Sequence, residues 1–526
     1  MRASIGTGVA LVLVAAVATS AAAAAGDEAA TPATATTAVK ATIKDAPQAY
    51  LRGCLSNARG RMDGKFTGDG WTWHANYPMD SFIESYLATR DRAWLDAAVE
   101  YFDWCIEQLL TGPDGRKGWL GAAYRMPGRL GEYPLGDCLL LEPMLRFSEL
   151  VLKDEPALAD AYGKSAASYV ALARQLIFEK WDHRGIWHED GPCGVYTDWP
   201  WTFTEKEPDH WQPPPAGTHA STLPINMQVH WGMAALRLWR ITGEPAWRDR
   251  ALKIFNFAKS RLNLYDDHYS WNYWEPFGPW DIKPDRPQDF VTWINTHPYR
   301  DYQLGEVRAF VEAYQRGITF DETDMRRLVR TNLHVMWNGK TGDDVAWNNS
   351  NAGVQKGAFG EIRLPSKPEG MFNRYAGTLW TSLVAFDATA RQLYEAQLAP
   401  GTWQHAFYHN VTAAQPPSFQ RRLAPAEAAV FKAPLHPCCT ITMVAVIPTV
   451  VQRGSDTVLA CQGRLPGALK IELATADGGK VLRTLKEAEL KLIVNHPWST
   501  GDVKPGRYRI RWTLKGQYRE MPVEVR

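Results

Sequence analysis

The chain has 526 residues, of which 45% are hydrophobic and 22% are charged. This balance is typical of a folded globular protein and excludes an intrinsically disordered chain. The 58 Lys and Arg residues nearly balance the 57 Asp and Glu residues, which excludes the strong basic excess expected of a general nucleic-acid-binding protein.

The N-terminus has the pattern of a secretory signal peptide over residues 1–25. The charged Arg2 precedes an apolar run at Val9–Val17 and a small-residue stretch at Ala21–Ala25. The apolar run is shorter than the roughly 20 residues of a membrane-spanning helix, so we expect export without a membrane anchor. Residues 26–45 are rich in Ala and Thr and predict a flexible linker. The expected location is secreted or periplasmic.

Helical periodicity dominates residues 46–395. Segments 87–109 and 241–262 both place Ala-Trp-x-Asp after a turn, and apolar residues at helical spacing follow. Each copy comes after another amphipathic segment, so the repeating unit is a helix hairpin. Such hairpins bury their apolar faces only by stacking. Long insertions rich in Trp, Pro and Gly favour a mainly α fold in which the hairpins close into an (α/α)n toroid, or barrel.

The hydrophobic period changes from 3.6 to 2 beyond residue 440. Tyr508, Ile510 and Trp512 alternate with polar residues, as in a half-buried strand. We therefore predict an immunoglobulin-like β-sandwich over residues 440–526. Residues 396–439 are predicted to be a Pro-rich connector.

One predicted helix concentrates polar side chains on a single face. Pro224 begins this helix, Asn226 and His230 lie four residues apart, and Met233 and Arg237 continue the same face. If the face points into a cavity, it presents an amide and an imidazole to a ligand. The alternative is that both side chains satisfy buried backbone groups.

A second candidate region is the loop that leads into the next predicted helix. His297, Tyr299, Arg300 and Tyr302 lie close together there, and Asp301 is positioned to cap the helix. Functional residues are frequent at such junctions. The alternative is turn packing, with Arg300 in a surface ion pair.

The loop between these two motifs, residues 267–281, carries six aromatic residues, among them Trp274. The chain contains 23 Trp residues, and their flat faces suit the C–H surfaces of sugar rings as well as protein cores. The loop is therefore either a stacking surface or a self-packed lid. Arg125 and Arg374 are further candidates for binding an anionic ligand, with surface ion pairs as the alternative.

Motifs of several other enzyme classes are missing from the sequence. It contains no Gly-x-Ser-x-Gly, phosphate-binding loop, His-Glu-x-x-His or Rossmann glycine pattern. Its seven Cys residues show no zinc-binding spacing. Acyl-enzyme, nucleotide and zinc-protease chemistry therefore lack support, and no cofactor is expected.

The helix hairpins, the Asn-x-x-x-His helix and the His-Pro-Tyr-Arg junction together resemble secreted α/α-toroid polysaccharide lyases, in particular polysaccharide lyase family 38. The resemblance covers residues 46–395 and implies metal-free β-elimination on a uronate polymer of alginate or glucuronan type. It implies that Asn226 and Arg300 hold the carboxylate, that His230 is the base and that Tyr299 is the acid. Tyr302 is a rival for the acid. We expect the anionic polysaccharide to be bound further by Tyr302, His297, Arg125, Trp274 and Arg374.

A glycoside hydrolase on the same fold is the main alternative. It needs two carboxylates roughly 5–9.5 Å apart across the glycosidic bond. The candidates are Glu132, Asp137, Glu275, Asp281, Asp343 and Glu361. A uronate C5-epimerase shares the proton abstraction without cleavage, and a non-catalytic glycan-binding protein fits the Trp content and the predicted sandwich.

Overall fold

The computed structural model describes residues 46–62, 66–123, 126–214, 220–265, 267–283, 291–292, 300–348, 350–351, 355–356, 362–363, 372–373, 379–397, 441–463, 467–490 and 493–526. For a few of these residues, Arg300 among them, only the backbone is described. The predicted signal peptide, the linker and most of the predicted connector lie outside these ranges.

The described residues are about half helical, and the helices run from Ala46 to Gln397. They are α1 (Ala46–Arg59), α2 (Gly68–Ala75), α3 (Met79–Thr89), α4 (Ala93–Glu107), α5 (Pro134–Glu149), α6 (Ala159–Ala173), α7 (Lys180–His183), α8 (Ile225–Thr242), α9 (Pro245–Ser260), α10 (Arg300–Gln315), α11 (Glu322–Arg330) and α12 (Ala388–Gln397). Proline begins α5 and α9, at a position where the missing N–H costs no helical hydrogen bond. Each helix in the described ranges is too short or too polar to span a bilayer.

Consecutive helices pack in pairs, as the hairpin pattern predicts. The pairs are α3 with α4, α5 with α6, α8 with α9, and α10 with α11. The first helices of successive pairs also contact one another, α3 with α5, α5 with α8, and α8 with α10. Arg308 of α10 then forms an ion pair of 2.6 Å with Asp80 of α3. Contacts among these four helices therefore lead back to the starting helix.

Two of these first helices, α5 and α8, run in the same direction. Tyr133, just before α5, contacts Met227 in the first turn of α8, at 3.6 Å. At the other end, Glu149 of α5 forms an ion pair of 2.7 Å with Arg240 of α8. Because contacts at the start and at the end match in order, α5 and α8 are parallel, and their N-termini lie at the same end of the body.

An extended apolar core holds the helical body together. It includes fully buried Trp residues on separate elements, such as Trp71, Trp231 and Trp380. Trp231 of α8 stacks on Tyr196 with ring centroids 3.7 Å apart. Large rings of this kind contribute much of the buried apolar area of a core. Many of the chain's Trp residues therefore serve packing.

Short antiparallel strands occupy several of the connections that the sequence predicts as Trp-rich insertions. They are β1 (Leu110–Thr111), β2 (Lys117–Gly118), β3 (Gly121–Ala122), β4 (Leu130–Gly131), β5 (Trp187–Asp190), β6 (Cys193–Tyr196), β7 (Thr202–Thr204), β8 (Glu207–Gln212), β9 (Asn263–Tyr265), β10 (His268–Ser270), β11 (Trp347–Asn348), β12 (Gln355–Lys356), β13 (Ile362–Arg363) and β14 (Phe372–Asn373). Strands β3, β4, β7 and β8 form one sheet, so the insertion after α7 is folded rather than irregular.

The C-terminal region consists of strands, mostly in antiparallel pairs. They are β15 (Ile441–Ile447), β16 (Val450–Val451), β17 (Asp456–Gly463), β18 (Gly467–Thr475), β19 (Val481–Leu490), β20 (Ile493–Ser499), β21 (Gly506–Leu514) and β22 (Gln517–Val525). One sheet has the order β15-β17-β20 and the other has the order β16-β22-β21-β18-β19. Side chains from both sheets, such as Leu459 and Trp512, share one apolar core. Ala445 and Ala460 of the smaller sheet pack on Ile282 of the helical body.

Candidate functional site

The polar face of α8 points toward α5 and α10. Arg237 of this face is buried, with its Nε 2.7 Å from Glu142 of α5 and its Nη1 2.9 Å from Glu312 of α10. Asn226 and His230 lie on the same face, two to three turns nearer the N-terminus. Asn226 is 4% exposed and His230 is half-buried. The i,i+4 spacing therefore places an amide and an imidazole between neighbouring helices.

Asn226 and His230 do not act as partners of buried backbone groups. The Asn226 Oδ1 is buried without a hydrogen-bond partner, and the described part of the chain contains no hydrogen bond from the His230 ring. The structural role belongs instead to Gln228, which accepts from the backbone N–H of Tyr196 at 2.9 Å and donates to its carbonyl at 2.7 Å. A buried polar atom without a partner requires an explanation, and a ligand that completes the hydrogen bonding is one.

The pKa of His230 lies below its ordinary value of 6.5. Burial is the largest cause, since it disfavours the charged imidazolium. The carboxylates of Glu142 and Asp80 act in the opposite direction, and the positive charge of Arg308 acts with burial. The imidazole is therefore neutral at pH 7, in the form that accepts a proton.

Helix α10 supplies the opposite wall of the site. Tyr302, Gly305 and Arg308 follow one another at three-residue intervals, so they share one side of the helix. A Cβ built on Gly305 would meet no other atom within 4 Å, which places open space beside this side. The Arg308 side chain is 41% exposed although it forms ion pairs with Asp80 and Glu142. This side of α10 therefore borders open space among the described residues.

Tyr302 lies beside the first turn of α8. Its ring centroid is 5.8 Å from that of Tyr273, with the rings stacked, and 5.8 Å from that of Trp73. The backbone carbonyl of Tyr273 accepts a hydrogen bond of 3.3 Å from the N–H of Ile225, the residue before Asn226. Trp274 packs edge-on against Tyr273 at 4.7 Å. The aromatic loop is therefore part of the same site.

Asp281 fixes this aromatic loop to the segment that precedes α8. Its carboxylate accepts hydrogen bonds from the backbone N–H and the hydroxyl of Thr222, both at 2.7 Å, and from the N–H of Phe277 at 2.8 Å. The pKa of the Asp281 carboxyl lies above its ordinary value, because burial raises it by more than these hydrogen bonds lower it. All the carboxylate contacts are structural, so Asp281 is not placed to act as a hydrolase acid.

Two other carboxylates considered for hydrolysis are also engaged. Glu132 and Asp137 contact the Nζ of Lys180 at 2.5 and 2.8 Å, and Lys180 is 0% exposed. Trp181 donates to Asp137 at 2.6 Å. Burial, together with the charge of Glu132, raises the pKa of Asp137 to about 6 against the opposing effect of Lys180. This buried cluster stabilises the body, because Lys180 balances both carboxylates in the interior.

The other predicted residues divide into several groups. Tyr299, His297, Arg125 and Arg374 lie outside the described residues, as does the hydrolase candidate Glu361. The Asp343 side chain is likewise not described, and Glu275 is buried and accepts from Asn272 at 2.7 Å.

The expected cap at Asp301 is wrong. Helix α10 begins at Arg300, one residue earlier, so Asp301 lies within its first turn. Arg308, which extends the polar side of α10 beyond the first turn, is not among the residues that the sequence predicts for the site. Continuing the helical spacing from Tyr302 by two further steps of three residues would have identified it.

The described residues contain no cluster of three or more His, Cys, Asp or Glu side chains with the arrangement of a metal site.

A scan against known protein families gives no match, and no curated protein is significantly similar to the chain. Functional inference therefore depends on the geometry of the site and on the chemistry of its residues.

Proposed function

We propose that the protein is a secreted polysaccharide lyase that cleaves a uronate-containing polysaccharide, of alginate or glucuronan type, by β-elimination. The observation that carries the proposal is that a neutral, half-buried His230 and Asn226 share one helical face, with the imidazole and the Asn226 Oδ1 without hydrogen-bond partners among the described residues. In the proposal the Asn226 Nδ2 donates to the substrate carboxylate, and Oδ1 accepts from a sugar hydroxyl. That face opens toward Tyr302 and Arg308 of α10. A base, a carboxylate-binding amide, a phenol and a cation are the groups that this elimination requires.

The proposed reaction begins with proton removal from C5 of the uronate. His230 takes the C5 proton, the electron pair forms the C4=C5 double bond, and the bond between C4 and O4 breaks. A tyrosine donates a proton to the departing O4, and Tyr299 and Tyr302 are the two candidates. Asn226, Arg300 and Arg308 neutralise the carboxylate and so stabilise the charge that develops on it in the transition state. Side chains, rather than a metal ion, carry this role in the proposal.

The direction of the helices supports an anionic substrate. The N-termini of α5 and α8 lie at the same end of the body, and Tyr302 in the first turn of α10 lies beside them. Each helix N-terminus carries a partial positive charge that favours anions within the first turn. Several such ends around one cavity add to the effect of Arg308.

We further propose that the helix pairs form an (α/α) toroid and that the C-terminal sheets form an immunoglobulin-like sandwich. The contacts that lead from α3 through α5, α8 and α10 back to α3 support the toroid. Parallel inner helices, each followed by an outer partner, are what a closed ring of hairpins requires. The shared core of the two sheets supports the sandwich.

The hydrolase alternative has less support in the described site. Glu132, Asp137 and Asp281 are committed to Lys180 or to loop hydrogen bonds. An inverting or retaining hydrolase needs two carboxylates that face the glycosidic bond. The facing sides of α8 and α10 instead carry an imidazole, an amide and a guanidinium, with Asp80 paired to Arg308.

The deciding experiment is an absorbance screen against alginate, glucuronan, pectate and glycosaminoglycans. Elimination creates an unsaturated uronide, so we expect ultraviolet absorbance to grow with at least one of the polymers. New reducing ends without absorbance would instead indicate hydrolysis. Isotope exchange at C5 without cleavage would indicate an epimerase, and binding without turnover would indicate a glycan-binding protein.

Replacing Arg308 with Gln tests its proposed contact with the substrate carboxylate. We expect KM to rise by about 10- to 100-fold, the range of a lost charged hydrogen bond. Asp80 keeps its ion pair of 2.9 Å with Arg146, so the fold is expected to persist. Burial and, in addition, the positive charge of Arg308 lower the pKa of His230. Loss of this charge in Arg308→Gln should raise the pKa of His230, so the acidic limb of the pH–rate profile should move to higher pH.

The matched control for this substitution is Arg326→Gln. Arg326 is 68% exposed and pairs with Glu322 on the surface of α11. We expect unchanged kinetics from the control. An Arg308→Gln enzyme with the KM and pH profile of the wild type would remove Arg308 from the substrate site.

A further inference from the structure

An aromatic pocket lies beside the candidate site. Its lining includes Tyr133, Trp199 and Trp201, and the space that it encloses is small, about 40 Å³. Such a space holds only a few water molecules, so a sugar ring lies on the open side of the pocket, against the exposed aromatic face, rather than inside it. The Tyr133 hydroxyl is also 3.6 Å from the Sδ of Met227, the residue after Asn226. Tyr133 is therefore a wall shared by the pocket and the first turn of α8, which carries Asn226.

Trp201 presents an exposed face in this pocket. It is 37% exposed, and its ring stacks on that of Trp199 with centroids 5.9 Å apart and an interplanar angle of 29°. The Arg184 guanidinium lies 5.2 Å from the Trp199 ring and forms an ion pair of 2.9 Å with Asp114. Arg184 therefore holds the Trp199 ring in place, and the Trp201 ring stacks on this fixed ring. A rigid aromatic surface binds with little loss of side-chain entropy.

The charges around the pocket do not favour capture of a carboxylate. The described lining residues include the acids Glu132 and Asp198 but no Lys, Arg or His. Lys180 and Arg184 lie behind Glu132, at 2.5 and 3.1 Å from its carboxylate, and both are almost fully buried. Their charges are balanced within the protein. Binding here depends on the flat Trp201 face rather than on charge attraction.

We propose that this pocket is a sugar-binding subsite in which one pyranose ring of the glycan chain stacks its C–H face on Trp201. The inference rests on the proposed function, because the chain that reaches the pocket is the one held at His230. Because Tyr133 borders both the pocket and the first turn of α8, the glycan chain is expected to run from His230 past Tyr133 to the pocket, beyond the bond that is cleaved. The stacked ring does not react, so its binding contributes equally to the ground state and to the transition state.

The test compares Trp201→Ala with Trp201→Phe, which keeps a flat face. We expect Trp201→Ala to raise KM about tenfold with kcat within about twofold of the wild type, as for lost uniform binding. Trp201→Phe should recover most of the affinity. The increase should persist at high salt, because screening weakens charge contacts and leaves stacking almost unchanged. Tyr518→Ala, which removes an aromatic residue that is 60% exposed on the C-terminal sheets, is the matched control.

Affinity is also measured without turnover, by introducing Trp201→Ala into His230→Ala and comparing it with His230→Ala alone, with the polymers of the absorbance screen as probes. Trp201→Ala is expected to lose about tenfold in polymer affinity by calorimetry. Equal affinity and equal KM in Trp201→Ala and the wild type would overturn the subsite, whatever its melting temperature. If the wild type cleaves none of the polymers, the proposed function fails by itself, and the affinity comparison still decides the subsite.

Discussion

Replacing His230 with Ala is expected to lower kcat for elimination on the order of 10³-fold, the usual contribution of a positioned general base. His230 makes no hydrogen bond within the described residues and is half-buried. Removal of its ring therefore leaves no broken hydrogen bond. The loss of rate should arise from missing proton transfer, with circular dichroism and the melting temperature close to those of the wild type.

The pH profile provides a second readout for His230. Its pKa lies below 6.5, with burial as the main cause, and the base must be neutral to accept the C5 proton. We therefore expect kcat/KM to fall as the pH drops through a midpoint below 6.5, and this limb should be absent from the residual activity of His230→Ala.

The matched control for His230→Ala is His496→Ala. His496 lies on β20, and burial also lowers its pKa from the ordinary value of 6.5. It lies on the C-terminal sheets, so its loss should leave kcat unchanged. Rates near the wild type in His230→Ala would eliminate the proposed mechanism, and an equal loss in both variants would point to a general loss of structure.

The sequence predicts the local parts of the site well, because helical spacing alone fixes which side chains share a face. Asn226, His230 and Arg237 follow this spacing on one helix, and Arg237 contacts the neighbouring helices. The hairpin repeat likewise predicts the packing of consecutive helices. Both features depend on residues close together in the chain, where geometry is independent of the rest of the fold.

The partners across the site could not be predicted from the sequence, because the fold decides them. Glu142 and Glu312 meet Arg237 from helices far away in the chain. Glu132 is a plausible hydrolase acid by residue type, but Lys180, 48 residues away, binds it in the interior. A carboxylate in sequence gives no indication of whether it will face solvent or a buried cation.

The insertion after α7 shows a related limit. Its Trp, Pro and Gly residues predict an irregular loop, yet part of it forms β7 and β8 of a four-stranded sheet. The partner strands β3 and β4 come from an earlier connection, so local pattern alone does not contain the pairing. Trp199 and Trp201 gain their orientation from this arrangement, which is why the pocket beside the site was not predicted.

Replacing Arg237 with Met should cause the largest loss of stability among single substitutions at the ion pairs between the helices. Arg237 is buried and contacts Glu142 at 2.7 Å and Glu149 and Glu312 at 2.9 Å. A methionine of similar length leaves three carboxylates without their shared cation. Breaking a buried ion pair costs about 3–5 kcal/mol. We therefore expect the free energy of unfolding to fall by that amount, as measured by urea titration of the helical circular dichroism signal. Arg326→Met is the exposed control, with an expected loss below about 0.5 kcal/mol.

Two experiments distinguish a loss of charge pairing from a simple packing defect. One removes a neighbouring carboxylate, and the other varies the pH. In Arg237→Met the buried Glu142 keeps only Arg308, at 3.4 Å. Adding Glu142→Gln removes this weakly compensated carboxylate, so the double variant should regain on the order of 1 kcal/mol. Arg316 and Arg237 hold the pKa of Glu149 below its ordinary 4.5 despite burial, which raises it. A lowered folded-state pKa gives stability above pH 4.5 that is lost on acidification, so the difference between wild type and Arg237→Met should shrink as the pH falls below 4.5. A defect that is constant with pH and unchanged in the double variant would show that Arg237 acts through its packing and not through its charge.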